Sequence, residues 1–176
     1  MLLCCLIMIV NMKAQVYIGG SLGLSGVKFQ GGDPAITYKI IPEIGYVFDE
    51  KWSFGLTLGY KKGACLIGSG SYGQNVESKV YGVQPYVRYD LYCNNSFHFF
   101  VDGLFTYEKV VNEGTNYNCG LSPGILFTPL DRIGVVAHMG FLGFEMYRNR
   151  NGENLGAIGG LELNGEILSI GVLCFF

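Results

Sequence analysis

Apolar and polar residues alternate along most of this chain with a period of two, the signature of half-buried β-strands. Val16, Ile18, Gly20, Leu22 and Leu24 alternate with Tyr17, Gly19, Ser21, Gly23 and Ser25. Trp52, Phe54, Leu56, Leu58 and Tyr60 alternate with Ser53, Gly55, Thr57, Gly59 and Lys61. Tyr81, Val83, Pro85, Val87 and Tyr89 are set against Gly82, Gln84, Tyr86, Arg88 and Asp90. Phe97, Phe99, Val101 and Phe105 are set against His98, Asp102 and Thr106, and Tyr117, Cys119, Leu121, Ile125 and Phe127 against Asn118, Gly120, Ser122 and Gly124. Weaker windows cover residues 38–48 and 133–147, and a last one runs from Leu161 or Ile167 to Phe176. That predicts eight strands. A helical reading fails because glycine and β-branched residues fill these windows.

The contents of the two faces indicate which one is inside. One face is greasy. The other is rich in Gly, Ser and Thr with a few charges. Eight strands enclose a space only just wide enough for side chains to fill, so a narrow interior favours small residues. A watered surface would favour Lys, Glu and longer polar side chains. The small polar face is therefore expected inside and the greasy face outside, against lipid. Aromatic positions point the same way: Tyr60, Tyr81, Tyr107, Tyr117 and Tyr147 fall on the greasy face beside the long connections, and Phe48, Trp52, Tyr89, Phe97 and Phe127 beside the short ones. Two aromatic girdles at opposite strand ends mark the two interfaces of a membrane barrel. Connections alternate short (49–51, 91–96, 128–132) and long (26–35, 62–77, 108–115, 148–160). With a periplasmic N-terminus, that is the order of short periplasmic turns and long outer loops. The expected fold is all-β, an eight-stranded antiparallel up-and-down transmembrane β-barrel.

Composition sharpens this picture. The chain has 176 residues, one domain's length, with 49% hydrophobic and 15% charged residues, against about 25% charged in average domains. Mean hydropathy is +0.30, yet the longest apolar run, residues 2–10, is far short of the ~20 residues a membrane helix needs. Disorder and coiled coil are excluded by the aromatics and the absence of heptads, and a net charge of −2 gives no reason to expect nucleic acid. Residues 1–15 read as a secretory signal, with Ala14 near its exit, and 16–176 as the barrel. Cys4 and Cys5 raise a lipoprotein anchor as a rival, but sit too early.

Three segments repeat: Pro42-Glu43-Ile44-Gly45-Tyr46, Pro85-Tyr86-Val87-Arg88-Tyr89 and Pro123-Gly124-Ile125-Leu126-Phe127. Each precedes a short turn, one per hairpin. The chain resembles the small outer-membrane β-barrel domain family, porin-like eight-stranded barrels of OmpX/OmpA type, over 16–176. Its most specific element is the end: Leu168, Ile170, Val172, Cys174 and terminal Phe176 alternate outward, which looks like the signal that such proteins show to the barrel-insertion machinery. The resemblance implies a fold and a location, the outer membrane of a Gram-negative-type bacterium, and no activity. Mid-strand prolines remove ladder hydrogen bonds, so Pro42, Pro85 and Pro123 are expected at bulges near the periplasmic rim.

Candidate chemistry is sparse. Cys65 and Cys93 fall at opposite ends and Cys119 and Cys174 on non-adjacent strands, so no disulfide is expected, and no spacing fits a metal site. No cofactor is expected. His98 and His138 point inward by parity, without a nucleophile motif such as G-x-S-x-G. They read as lumen polar residues rather than as bases of a lipid-modifying enzyme. Glu43, Lys61, Arg88, Asp90 and Asp102 point inward too, either as ion pairs plugging the lumen or as a polar pore. An unpaired buried charge costs several kcal/mol, which favours pairing, with Arg88–Asp102 on adjacent strands the best pair. Inward Tyr86, Phe100, Leu104, Val136 and Phe175 would obstruct a pore. Arg148 and Arg150 form a basic tip that fits contact with anionic lipopolysaccharide, or is a plain solvated loop. The leading functional reading is a monomeric, non-enzymatic barrel with a structural or surface-interaction role, in contact with the bilayer and lipopolysaccharide. The alternatives are a narrow solute channel, an enzyme acting on membrane lipid, and a secreted soluble barrel with inside and outside reversed.

Overall fold

A period of two and turns at regular intervals leave the chain one way to hide its backbone: each strand pairs with the next until the last meets the first. The computed structural model describes residues 15–27, 35–62, 79–94, 96–130, 132–162 and 169–176. Ten strand segments appear in them: β1 (Gln15–Val27), β2 (Ala35–Val47), β3 (Trp52–Lys62), β4 (Lys79–Cys93), β5 (Phe97–Val110), β6 (Gly114–Leu130), β7 (Ile133–His138), β8 (Phe141–Asn149), β9 (Asn154–Glu162) and β10 (Ser169–Phe175). β1 to β6 pair in sequence, all antiparallel. β6 then pairs with β7 along one half and β8 along the other, β8 pairs with β9, and β10 joins β7 to β1. β7 with β8, and β9 with β10, are the two parts of the seventh and eighth barrel strands, so the sheet is a closed eight-stranded antiparallel barrel. Of the segment read as a signal, only Gln15 lies among the described residues.

The alternation appears as an inverted distribution of apolar groups. Val16, Ile18, Ile44, Phe54, Leu58, Phe99, Phe105, Leu121 and Val172 are all exposed on the outer wall. Inside lie Tyr17, Tyr86, Phe100, Leu104, Leu126, Val136 and Leu173, packed as one cluster. Glycine makes this filling possible. Tyr17 is paired with Gly45, Tyr86 with Gly55 and Phe100 with Gly124. A Cβ on any of these three glycines would fall inside the opposing ring. Each of these three hairpins thus sets a large aromatic on a residue with no side chain.

Several expectations are corrected. Connection 108–115 is not a long loop: β5 and β6 run on to a three-residue turn, in which Asn112 takes φ 68°, a conformation Asn tolerates. Connection 148–160 is mostly strand, closed between Asn149 and Asn154. The walls at β4, β5 and β6 are 15, 14 and 17 residues long, beyond the ~9–11 that crossing requires. The prolines do not lie near the rim, and of the three only Pro123 sits at a bulge, opposite the extra residue of the seventh strand. Pro42, Pro85 and Pro123 lie mid-strand with unbroken register to one neighbour. On the other side pairing lapses at Pro42 and Pro85 and resumes with the same offset, at Glu43↔Thr57 and Tyr86↔Leu104. Proline has no N–H to give there, and pairing on the remaining side holds the strand straight.

Tyr147 is not in the outer girdle. Between Gly124↔His138 and Leu121↔Leu142 the seventh strand uses one residue more than β6. The extra residue sits at Met139–Gly140, where Gly140 has φ 100°, a region that favours glycine. The bulge flips parity, so Tyr147 faces Asn116 on the lumen side. The other four tyrosines do form the outer belt, with Tyr60–Tyr81 at 5.2 Å and Tyr107–Tyr117 at 5.4 Å between centroids. Trp52–Tyr89 (4.7 Å) and Phe97–Phe127 (4.6 Å) belong to the opposite belt.

Leu56 lies midway along β3 and is exposed, whereas the next residue, Thr57, is buried. Leu56→Arg is expected to cost about 2–4 kcal/mol of folding stability in lipid vesicles. Thr57→Arg acts through lumen packing instead and lowers the unfolding midpoint in micelles and vesicles alike. If arginine is tolerated at 56 in vesicles and rejected only at 57, lipid covers the other face.

Candidate functional site

The lumen is built in tiers, because cross-strand partners on one face of a sheet share a row. The charged centre belongs to the row of Arg88 on β4 and Asp102 on β5, which are direct partners. Arg88 donates from Nε to Asp102 Oδ1 at 2.8 Å and from Nη2 to Oδ2 at 2.9 Å, the bidentate fork of guanidinium on carboxylate. His138, from β7, donates from Nε2 to the same Oδ2 at 3.0 Å. Glu43 on β2 lies 3.8 Å from Arg88 Nη2. The guanidinium stacks over the Phe100 ring, with Cζ 3.8 Å from the centroid, and the Tyr86 centroid is at 5.2 Å. Phe100 meets the His138 ring edge-on at 5.4 Å. Arg88, Asp102 and Glu43 are all buried.

A second chain of bonds ends on Glu43. The Tyr86 hydroxyl donates to Glu43 Oε1. Tyr86 has one proton to give, so the 2.5 Å contact between the Tyr17 and Tyr86 hydroxyls is a donation by Tyr17. Tyr17, Tyr86, Glu43, Arg88, Asp102 and His138 thus form one connected network drawn from β1, β4, β2, β5 and β7. One cation faces two carboxylates, and the aromatic rings close it off along the barrel axis.

Of the five inward charges named from the sequence, Glu43, Arg88 and Asp102 meet here. Asp90 lies beyond the network, toward the short turns, where its Oδ2 is 3.2 Å from His98 Nδ1. Lys61 is at the other end of the lumen, half-buried opposite Lys39, with a contact of its own. Between Lys61 and the network lies a neutral and acidic tier along the pairs Glu43↔Thr57, Thr57↔Gln84, Thr106↔Asn118 and Asn118↔Glu145. Asn116 Nδ2 donates to Glu145 Oε1 at 2.6 Å. Of the C-terminal series, Leu168 lies outside the described residues, and Ile170, Val172, Cys174 and Phe176 are exposed on the outer face.

One arrangement has no signal in the sequence pattern. The β4–β5 register shifts between Asp90 and Tyr92, and this bulge turns Cys93 to the side of its partner His98. Cys93 Sγ is then 3.6 Å from His98 Nε2, which completes a Cys93–His98–Asp90 chain. Such a chain resembles an acyl-transfer triad, which also requires oxyanion donors. The backbone N–H of the following residue, Asn94, is already committed to Phe97 O at 2.9 Å. The chain lies at the closed end of the β4–β5 hairpin. No group of three or more His, Cys, Asp and Glu that could hold a metal ion occurs among the described residues.

Truncating one member of the ion pair leaves a buried charge alone, which costs about 3–5 kcal/mol. Arg88→Met is expected to lose that much, read from the urea midpoint in vesicles. Arg88→Met with Asp102→Leu should recover most of it, as a double-mutant cycle will report. Additive losses would mean that the two side chains do not share one interaction.

No family model and no curated protein matches the chain. Among solved structures, it is similar to the crystal structure of Neisserial surface protein A (NspA), at 13% identity and a TM-score of 0.50, over 93% of this chain and 96% of that one. It is also similar to that of Ail, the attachment invasion locus protein of Yersinia pestis, at 11% identity and a TM-score of 0.45, over 94% of this chain and all (100%) of that one. The likeness to NspA is one of fold: a small eight-stranded outer-membrane β-barrel, whose environment is a lipid bilayer.

Proposed function

We propose that this chain is an integral barrel of the outer membrane of a Gram-negative-type bacterium, with a structural or surface-interaction role and no catalysis. One observation carries the reading: the wall is apolar outside between two aromatic belts and the lumen is filled inside. A soluble barrel has no use for exposed Phe99, Phe105, Phe144 and Leu121, whereas lipid solvates them. A channel is disfavoured because Tyr17, Phe100, Leu126, Val136 and Leu173 occupy the axis around the Arg88–Asp102 pair. In this reading residues 1–15 are removed on export, the short turns face the periplasm, and the 28–34 and 63–78 connections face outward with the β8–β9 hairpin. The partners are the bilayer with its lipopolysaccharide and, during biogenesis, the barrel-insertion machinery. The working form is a monomer. Fractionation tests the location: the mature protein should leave with the outer membrane, and its gel mobility should shift on boiling. Recovery as a soluble protein of constant mobility would overturn the assignment. Planar bilayers should show no steady conductance, and a reproducible one would restore the channel.

The C-terminus extends the reading to assembly. Ile170, Val172, Cys174 and Phe176 form an outward series ending where β10 meets β1. Together with Leu168 they are proposed as the mark read by the insertion machinery. Deleting Phe176 should lower the folded fraction in cells much more than it lowers the unfolding midpoint of refolded protein in detergent. Normal assembly of the shortened chain would sink this assignment and leave the barrel itself standing.

A further inference from the structure

On the outer wall, beyond the tyrosine belt, cations face cations. Lys62 on β3 is paired directly with Lys79 on β4, on the same side of the sheet as the Tyr60–Tyr81 pair. Lys109 on β5 faces Tyr81, and through Thr115 on β6 the same row reaches Arg148 on β8. Arg148 is on the outer face, with its Cζ 5.5 Å from the Tyr117 centroid. Lys79, Lys109 and Arg148 are exposed and Lys62 is half-buried. Among the described residues no ion pair engages any of the four. Glu108 and Glu145 lie on the lumen side with Asn116 and Asn118. Glu153, next to Arg148's partner Asn154, is bonded by Asn149, and Glu113 in the β5–β6 turn has another contact.

Like charges directly opposite each other in a sheet destabilise the pairing, and barrel strands cannot drift apart to relieve it. An anion bridging the row removes the penalty. The shape of the surface says which kind of anion. The cations point away from the barrel axis, so the ligand lies against the wall and not in the lumen. Directly beneath them come Tyr60, Tyr81, Tyr107 and Tyr117, then Leu58 and Val83. Tyrosines at that level mark the headgroup region of a bilayer, and lysine stems can lie along apolar surface while their ammonium groups stay wet. A ligand that fits has negative charge immediately above hydrocarbon chains. We propose that Lys62, Lys79, Lys109 and Arg148 form a docking lip for the phosphate groups of an outer-leaflet glycolipid. This rests on the membrane-barrel reading and its orientation, and it names the surface through which that barrel holds its lipid.

The test uses the full mature chain refolded in zwitterionic detergent, with purified bisphosphorylated lipid A as probe. Binding is read by native mass spectrometry and by titration at low and physiological salt. Lipid A should be retained, more weakly as salt rises, and tenfold or more weakly in the Lys62→Gln, Lys79→Gln, Lys109→Gln, Arg148→Gln protein. Lys51→Gln, at a periplasmic turn, should bind as the parent does. Dephosphorylated lipid A should bind poorly, and inorganic phosphate should not compete at millimolar concentration. Lys62→Glu separates ligand from scaffold. It turns a like pair into an opposite pair, so it should raise the melting midpoint without lipid while weakening lipid A binding. Unchanged binding in the fourfold variant, equal binding of dephosphorylated lipid, or a Lys62→Glu protein that gains neither effect overturns the proposal. A parent that folds in phosphatidylcholine vesicles yet ignores lipid A sinks only this inference. A parent that stays soluble without detergent sinks the barrel reading beneath it.

Discussion

Everything in this molecule follows from the need to satisfy every backbone N–H and C=O without water. In hydrocarbon, an open strand edge costs several kcal/mol per unmet group. The pairing of β1 with β10, Tyr17↔Phe175 to Ser21↔Gly171, removes that edge by joining the ends of the chain. Closure with eight strands then fixes the circumference, and the circumference fixes the lumen. A lumen this narrow is filled by side chains. Its filling has to be dense and its charges have to meet.

The network around Arg88 is the outcome of those two demands. A single guanidinium receives Asp102 in a fork, has Glu43 close by, and lies on the Phe100 ring. Buried ion pairs often contribute little net stability against an apolar alternative, because desolvation offsets attraction. Their value here is one of placement. Five strands contribute to a polar cluster that has one good geometry, and a neighbouring register would leave a charge unmet. The apolar cluster of Leu104, Leu126, Val136 and Leu173 surrounds it without competing for its hydrogen bonds.

How much of this is legible in the sequence depends on parity. Where alternation is uninterrupted, as from Trp52 to Lys61 or from Phe97 to Thr106, each side chain's face can be read from the chain alone, and Arg88 opposite Asp102 follows from hairpin geometry. Reading fails wherever one residue is inserted. Met139–Gly140 hides such an insertion inside an apolar stretch, and every position beyond it, Tyr147 included, changes side. The bulge beside Leu91 likewise brings Cys93 to His98 with no pattern to announce it. Turn length is the other blind spot. Glu108–Thr115 is polar enough to pass for a loop, yet Glu108 and the neighbouring Asn116 line the lumen and only three residues turn. The hydroxyl chain from Tyr17 to Glu43 was within reach only in part, since parity turns both tyrosines inward but says nothing of depth.

The three aromatic–glycine pairs carry a further consequence. They fall on β1–β2, β3–β4 and β5–β6, one to each hairpin, and both partners always belong to the same hairpin. A slip of two residues keeps each face on its proper side, so the hydrophobic pattern cannot detect it. It would, however, drive the Tyr17 ring against Glu43 or Val47 instead of the vacancy at Gly45. Each hairpin therefore proofreads its own alignment locally, before the barrel closes and before any distant strand has arrived.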